Sequence, residues 1–329
     1  MECLDALKGQ SYPLDGIYII DNASTDETPK LLLEKGYISE LPPKSLTEPW
    51  EKEFSVTNDQ KVDIKIHYVR MNENTGSSGG FYEGIKRSYE RKYDWIWIMD
   101  DDATPKLNAL EELLKFKDIS LSAIASVVIK RGTGEIDLNH RRNLNKLNIK
   151  DKLISLKIYQ RNYFYFNEFS YVGVLINSCA LKLKGFTNRD FFISGDDTEH
   201  SLRLSEYGKM ICVTSSHIIH GSKAEIIRNN ISTSQTMHNL STFIDYKAYY
   251  SIRNRIFISR KYRNPLFFFF YVEKLKIRNY IGRLIKRRDK VVYNLYKEAI
   301  EDGMKGNLGI KLPYVPGWQY QRISKSDTE

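Results

Sequence analysis

The chain has 329 residues, 41% hydrophobic and 28% charged, with a formal net charge of +9; this supports a packed core and excludes a fibrous or wholly disordered chain. The longest apolar run, Leu266 to Val272, is far too short to cross a bilayer, and no apolar segment follows the start, so neither a membrane span nor a signal peptide is read. Cys3, Cys179 and Cys212 are widely spaced and form neither a disulfide framework nor a zinc spacing, a pattern that fits a reducing cytoplasm.

In chain order, residues 2–8 predict a helix with Leu4 and Leu7 on its apolar side. Ile17–Ile20 predict a strand ending in Asp21-Asn22-Ala23-Ser24-Thr25-Asp26; a helix follows, capped by Thr25 or Asp26, with Leu31, Leu32 and Leu33 inside. Residues 40–62 are rich in Pro, Ser, Lys and Glu and read as a loop or insertion. Ile64–Val69 predict a strand, Asn72–Gly80 a Gly- and Asn-rich loop, and 80–92 a helix. The run Trp95-Ile96-Trp97-Ile98-Met99 then leads straight into Asp100-Asp101-Asp102, and its unbroken apolar character predicts a strand buried on both faces. Beyond it, 107–116 read as helix, 119–129 as strand, and 131–160 as polar and basic without a clear period. Residues 171–183 read as strands, Asp196 to Tyr207 as a helix ended by Gly208, 209–220 as a short strand with His217 and His220, and the chain from 240 as helices. The alternation predicts an α/β fold with a doubly wound, mostly parallel sheet and a helical C-terminal region. The expected domains are 1–235 and 236–329.

Three adjacent carboxylates repel one another, so a strand end that keeps them together calls for a cation. In open α/β sheets that end also borders the ligand crevice. Alternation along a strand would turn Asp100 and Asp102 one way and Asp101 the other, and two oxygen ligands beside a ligand's phosphates suit Mg²⁺ or Mn²⁺. A solvated acidic turn capped by Pro105 is the competing reading. Gly76, Gly79 and Gly80 allow close backbone approach before a helix start suited to anions, although a tight strand-to-helix turn would need the same glycines. Asp196 and Asp197 open a helix and offer either a general base or simply caps.

The order of these pieces is more specific than any one of them. Asp21 to Asp26, Asn74 to Gly80, Trp95 to Asp102, Gly195-Asp196-Asp197 and His220 follow one another in a way that resembles the family 2 glycosyltransferases of GT-A fold. Within them the chain looks most like bacterial galactofuranosyl- and rhamnosyltransferases of cell-surface polysaccharide synthesis. The resemblance implies a metal-dependent, inverting hexosyl transfer from a UDP- or dTDP-sugar to a polyprenyl-linked or polysaccharide acceptor. It implies Asp100, Asp102 and His220 as ligands of Mn²⁺ or Mg²⁺, with His217 as the competing histidine. It implies Asp21, Asn74, Gly76, Gly79, Gly80 and Asp101 at the donor, and Asp197, with Asp196, at the catalytic base. Such proteins begin with a strand that precedes the first helix, and that strand is missing from this sequence; a sugar-nucleotide-binding protein without transferase activity is therefore the alternative. A nucleotidyltransferase would want a basic Gly-rich signature near the N-terminus, which is not seen.

Residues 251–290 hold 13 Lys or Arg against two acids, Glu273 and Asp289, interleaved with Phe267 to Phe270, Tyr271 and several Ile and Leu. This suits an anionic membrane surface and predicts a cytoplasmic protein peripheral to the inner face of the cell membrane. An ordinary helix pair with inward aromatics is the bland alternative. No recognised nucleic-acid motif accompanies the charge, so no nucleic-acid partner is expected.

Overall fold

The computed structural model describes residues 1–145, 150–221, 243–285 and 287–321. Two compact units are distinguished: residues 1–143, 153–189 and 197–222 form one, and residues 144–152, 190–196 and 223–329 the other. The expected domain boundary at 235/236 lies outside the described residues.

The first unit opens with helix α1 (Glu2–Lys8), strand β1 (Gly16–Asp21) and helix α2 (Thr28–Glu34). Strands β2 (Trp50–Thr57) and β3 (Asp63–Arg70) complete a sheet of order β1-β3-β2, in which β1 is parallel and β2 antiparallel to β3. The central place of β3 explains its buried Ile64, Ile66, Tyr68 and Val69. β2 occupies part of the stretch expected to be a loop. It is an edge strand: Trp50, Phe54 and Val56 pack inward while Glu51 and Glu53 face solvent, and charged residues of this kind protect an edge from further pairing.

Helix α3 (Gly76–Glu90) leads to β4 (Trp95–Ile98), β5 (Thr104–Pro105), α4 (Ala109–Leu114) and β6 (Leu121–Lys130). The aperiodic segment after it contains β7 (Arg141–Asn145) and β8 (Lys150–Leu153). β9 (Tyr163–Phe166), β10 (Glu168–Phe169), β11 (Val174–Asn177), α5 (Ser178–Lys184), α6 (Asp196–Leu204) and β12 (Lys209–His220) follow. The large sheet has the order β4-β11-β6-β12-β5, with β9 also on β12. β6 and β12 are parallel, β11 is antiparallel to both β4 and β6, and β5 and β9 are antiparallel to β12. The α/β architecture is as expected, but the sheet is mixed rather than mostly parallel. No crossover helix precedes β11, and antiparallel neighbours need none. Because β11 alone is reversed between them, β4, β6 and β12 still point one way, and their carboxyl ends share one edge.

The centre of this sheet is built from small residues. Ala123, Ala125, Ser122 and Ser126 of β6 are fully buried. Arg141 is buried with them, its guanidinium donating to the carbonyls of Ser126, Val172 and His140. Gly173 precedes β11 with a left-handed φ of +71°, donates its N–H to Ile98 O at 2.9 Å and accepts from Ser126 N at 3.0 Å.

The second unit contains the helices Lys247–Tyr262, Pro265–Leu284 and Lys290–Lys305, with β13 (Phe243–Asp245) antiparallel to β14 (Gln319–Gln321). Tyr249, Tyr250, Ile256, Leu295, Ala299 and Ile300 form much of its core. The helical C-terminal region is thus as expected.

A Cβ at Gly173 would meet Ile218 Cδ1 at 2.2 Å. Gly173→Ala should therefore cost about 2–4 kcal/mol from left-handed strain plus overpacking. Urea unfolding measures this, and an unchanged midpoint would contradict the packing described.

Candidate metal and donor site

Strand β4 stops at Ile98, and Asp100 and Asp102 stand on the turn after it, where Ala103 N–H donates to Asp100 O at 3.2 Å. The short strand β5 then pairs with the end of β12, Thr104 opposite Ile219 and Pro105 opposite Ile218. That register brings His220 back beside the acidic turn. His220 Nε2 lies 3.1 Å from Asp102 Oδ1 and 3.6 Å from Asp100 Oδ2. One ligand atom from each of Asp100, Asp102 and His220 falls within 4.8 Å of the others. Asp101 is exposed on the turn and outside this cluster. Asp100 and Asp102 thus face one way because of a turn, not because of strand alternation. His217 lies three residues earlier on β12, so strand alternation turns it to the opposite face; its carbonyl accepts from Lys106 N–H at 3.0 Å.

Electrostatics single out the same group. Burial alone would lower the His220 pKa, but the hydrogen bonds and charges of Asp100 and Asp102 outweigh it and push it up to about 9. The hydrogen bond from His220 holds Asp102 below the usual carboxylate range. A proton thus sits where two carboxylates call for positive charge. The side chains of Asp100, Asp102 and His220 remain 40%, 37% and 23% exposed, so a ligand can reach them. Two hard carboxylates and one borderline imidazole fit Mn²⁺, or Mg²⁺ held chiefly by the carboxylates, with positions left for phosphate or water.

Two neighbours of the cluster escaped the sequence reading. The His140 ring lies 5.0 Å from that of His220, nearly perpendicular to it, and shares a hydrogen bond with Ser170 Oγ. Burial, then the charges of Arg141 and His220, depress its pKa to about 3, so it stands neutral beside His220. Arg131 donates to Thr104 Oγ1 at 2.7 Å and to Gly221 O at 2.7 Å, which fastens the end of β12 to β5. Both residues lie in the segment without a hydrophobic period, and nothing local marked them.

The residues expected at the donor lie at and beyond the carboxyl ends of β1 and β3. Asp21 is fully engaged: Tyr68 Oη donates to it at 2.7 Å, Arg70 Nη1 at 2.6 Å and Ser24 N at 2.8 Å. Burial would raise its pKa, but these hydrogen bonds outweigh that and hold it below the ordinary value. Asn22 Oδ1 accepts from Thr75 N at 3.0 Å, and Asn22 Nδ2 donates to Gly76 O at 2.8 Å. Asn74 Oδ1 accepts from Gly76 N at 2.9 Å. Asn74 therefore fixes the loop that opens α3, and Asn22, Tyr68 and Arg70 are further participants that the sequence reading did not single out. Gly76 has a φ of +72°, and a Cβ on Gly79 would meet Thr75 Oγ1 at 2.3 Å, so both positions need glycine. Gly80 lies open toward Asn22, whose Nδ2 would be 4.0 Å from a Cβ there.

Asp196 and Asp197 open α6, and the division between the units passes between them. Asp196 is 5% exposed, whereas Asp197 keeps more solvent access. Dense surroundings raise the Asp197 pKa, with the charge of Asp100 adding to the rise and the Thr198 N–H and the Arg142 charge opposing it. Glu168 Oε1 accepts from both Arg142 Nη2 and Thr198 Oγ1 at 2.7 Å and so braces this corner. Before the helix, Phe192, Ser194 and Gly195 take left-handed φ values. Asn254 Nδ2, within 3.0 Å of the carbonyls of Phe191, Ile193 and Ser194, holds that loop.

Residues 55–182 match the family model described as Glycosyl transferase family 2. The matched segment contains Asn74 to Gly80 and Asp100 to Asp102; Asp21, Asp196, Asp197 and His220 lie outside it. Among solved structures, the crystal structure of GalNAc-T7 with UDP, GalNAc and Mn²⁺ aligns with a TM-score of 0.55 and 11% identity over 93% of this chain. The chain spans about half of that structure's chain, 53% of its length. A structure of A197 from STIV aligns with a TM-score of 0.35 and 12% identity, over 63% of this chain and 84% of the other, too weakly to bear on the fold. No curated protein matches the sequence. The fold, a mixed α/β core with flanking helices, is similar to the GT-A glycosyltransferase fold.

Asp21→Asn would leave Arg70 without its charged partner. It should cost about 2–3 kcal/mol at neutral pH. The native carboxyl titrates below its ordinary value of 3.8, so its contribution is present above that pH and fades as pH falls. Unfolding measured across pH should show the two proteins converging below about pH 4; a gap that is constant with pH would contradict the pairing.

Proposed function

We propose that the chain is a metal-dependent, inverting glycosyltransferase. The observation that carries this reading is the convergence of Asp100, Asp102 and His220 at the aligned carboxyl ends of β4 and β12. A Mn²⁺ or Mg²⁺ held by these three residues would supply the positive charge that stabilises a departing diphosphate. The chain's own residues do the rest. Gly76, Gly79 and Gly80 let the donor approach the backbone at the start of α3, where N–H groups favour anions. Asn74 holds that loop, Asp21 locks the adjacent turn through Arg70 and Tyr68, and exposed Asp101 is available to the donor sugar.

Asp197 is the general base in this reading. It takes the proton from the acceptor hydroxyl as that oxygen bonds to the anomeric carbon and the bond to the diphosphate breaks on the opposite side. Its raised pKa strengthens it as a base, and its greater access distinguishes it from the more deeply buried Asp196. UDP-galactofuranose is the first donor and dTDP-rhamnose the second in this reading, from the resemblance to galactofuranosyl- and rhamnosyltransferases; a UDP donor also accords with the UDP and Mn²⁺ in the GalNAc-T7 structure. The acceptor is a polyprenyl-linked or growing cell-surface glycan at the inner face of the cell membrane.

Asp197→Asn should retain UDP binding in Mn²⁺ while transfer falls by about 10²–10⁴-fold. Product formation from each UDP- and dTDP-sugar checks this. Full turnover by the variant would contradict the assignment of the base, and donor binding by the wild type without transfer to any acceptor would favour a sugar-nucleotide-binding protein.

A further inference from the structure

The helix Pro265–Leu284 carries apolar residues on two opposite faces, and such faces are normally buried. One of them is. Phe268, Tyr271, Val272 and Leu275 pack with Ile256 and Ile300 of the helices on either side in sequence. Asn279 Nδ2 donates to Tyr293 O at 3.0 Å, which ties the same face to the helix Lys290–Lys305. The opposite face is bare. Leu266, Phe270, Ile277, Ile281 and Leu284 recur at helical spacing and stand 63%, 61%, 57%, 46% and 61% exposed. Phe269 and Tyr280 widen the stripe on one side. It is about 27 Å long at the ordinary rise per residue, longer than the isolated exposed apolar residues of a soluble surface require.

The charges beside the stripe say what covers it. At 100° per residue, Lys276 and Arg283 fall along one border and Lys274 and Arg278 along the other. Glu273 falls inside the stripe, between Phe270 and Ile277, and Lys276 pairs with it there at 2.7 Å. Lys290 and the arginines at 287 and 288 continue the positive charge past the end of the helix. A second copy laid against this stripe by a two-fold axis would set cation against cation along both borders. A surface with an apolar interior and an anionic face complements both features at once. Among the described residues no helix is long and apolar enough to cross a membrane, so the contact lies in the plane of the interface.

We propose that the exposed stripe Leu266–Leu284 is a docking surface for an anionic lipid bilayer, with its apolar side chains in the headgroup boundary and Lys274, Arg278 and Arg283 against lipid phosphates. The inference deepens the proposed function by naming the element that would hold the enzyme where a lipid-linked acceptor is found. Its test uses no substrate, so its failure leaves the transferase reading untouched, and the reverse also holds.

The full chain is sedimented with vesicles of phosphatidylcholine, with and without phosphatidylglycerol, over a series of salt concentrations. The wild type should bind the phosphatidylglycerol vesicles, more weakly as salt rises. Phe270→Glu/Ile277→Glu should weaken binding about tenfold or more, and Lys274→Gln/Arg278→Gln should weaken it and flatten the salt dependence. All four positions border solvent, and a thermal unfolding scan checks that the variants stay folded. No binding to phosphatidylglycerol vesicles, or undiminished binding by Phe270→Glu/Ile277→Glu, would overturn the proposal. So would a wild-type dimer in sedimentation equilibrium that the same variant abolishes, since a second copy would then cover the stripe.

Discussion

The site depends on one electrostatic constraint: Asp100 and Asp102 are held together at a strand end, where their mutual repulsion must be relieved. In the chain by itself His220 supplies the relief, and its pKa rises to about 9 against the burial that would lower it. Protonated, it is a counter-ion; neutral, it is a ligand. A divalent cation would displace the proton and take the same two carboxylates and the same imidazole, so binding metal and losing a proton are one event.

Most of the first unit serves to keep that arrangement in place. The reversal of β11 leaves β4, β6 and β12 pointing one way, so the acids after β4 and the histidine ending β12 meet at one edge. The pairing of β5 with Ile218 and Ile219 fixes the distance between them, and Arg131 fastens the crossing. Arg141, buried among the carbonyls of β6 and the turn before β11, joins strands that would otherwise meet through small side chains alone. Each such contact is modest, but an orphaned buried polar group would cost more than the contact contributes, so the network forms as a whole.

Local chemistry made part of this legible before the structure. The apolar run into Asp100-Asp101-Asp102, the glycines at 76 to 80 and the strand ending at His220 are visible because apolar runs and glycine turns are local properties. What escaped is set by pairing. The polar edge strand β2 reads as a loop because its outward residues are charged. The direction of β11 is not written in its own side chains. Asp100 and Asp102 were expected to face together by alternation and do so through a turn. The choice between His217 and His220 needed the register with β5. His140 next to His220, Arg70 on Asp21 and Asn254 beneath the Phe191–Ser194 loop are polar contacts between elements distant in sequence, and no periodicity announces them.

The most direct measurement is a calorimetric titration of the wild-type chain with UDP in the presence and absence of Mn²⁺. If Asp100, Asp102 and His220 form a metal site shared with a diphosphate, UDP should bind at least about tenfold more tightly with Mn²⁺, as for a charge-assisted contact of about 1.4 kcal/mol or more. Equal affinity with and without the metal would contradict the account, because the acids and the histidine would then be only a solvated ion-paired turn.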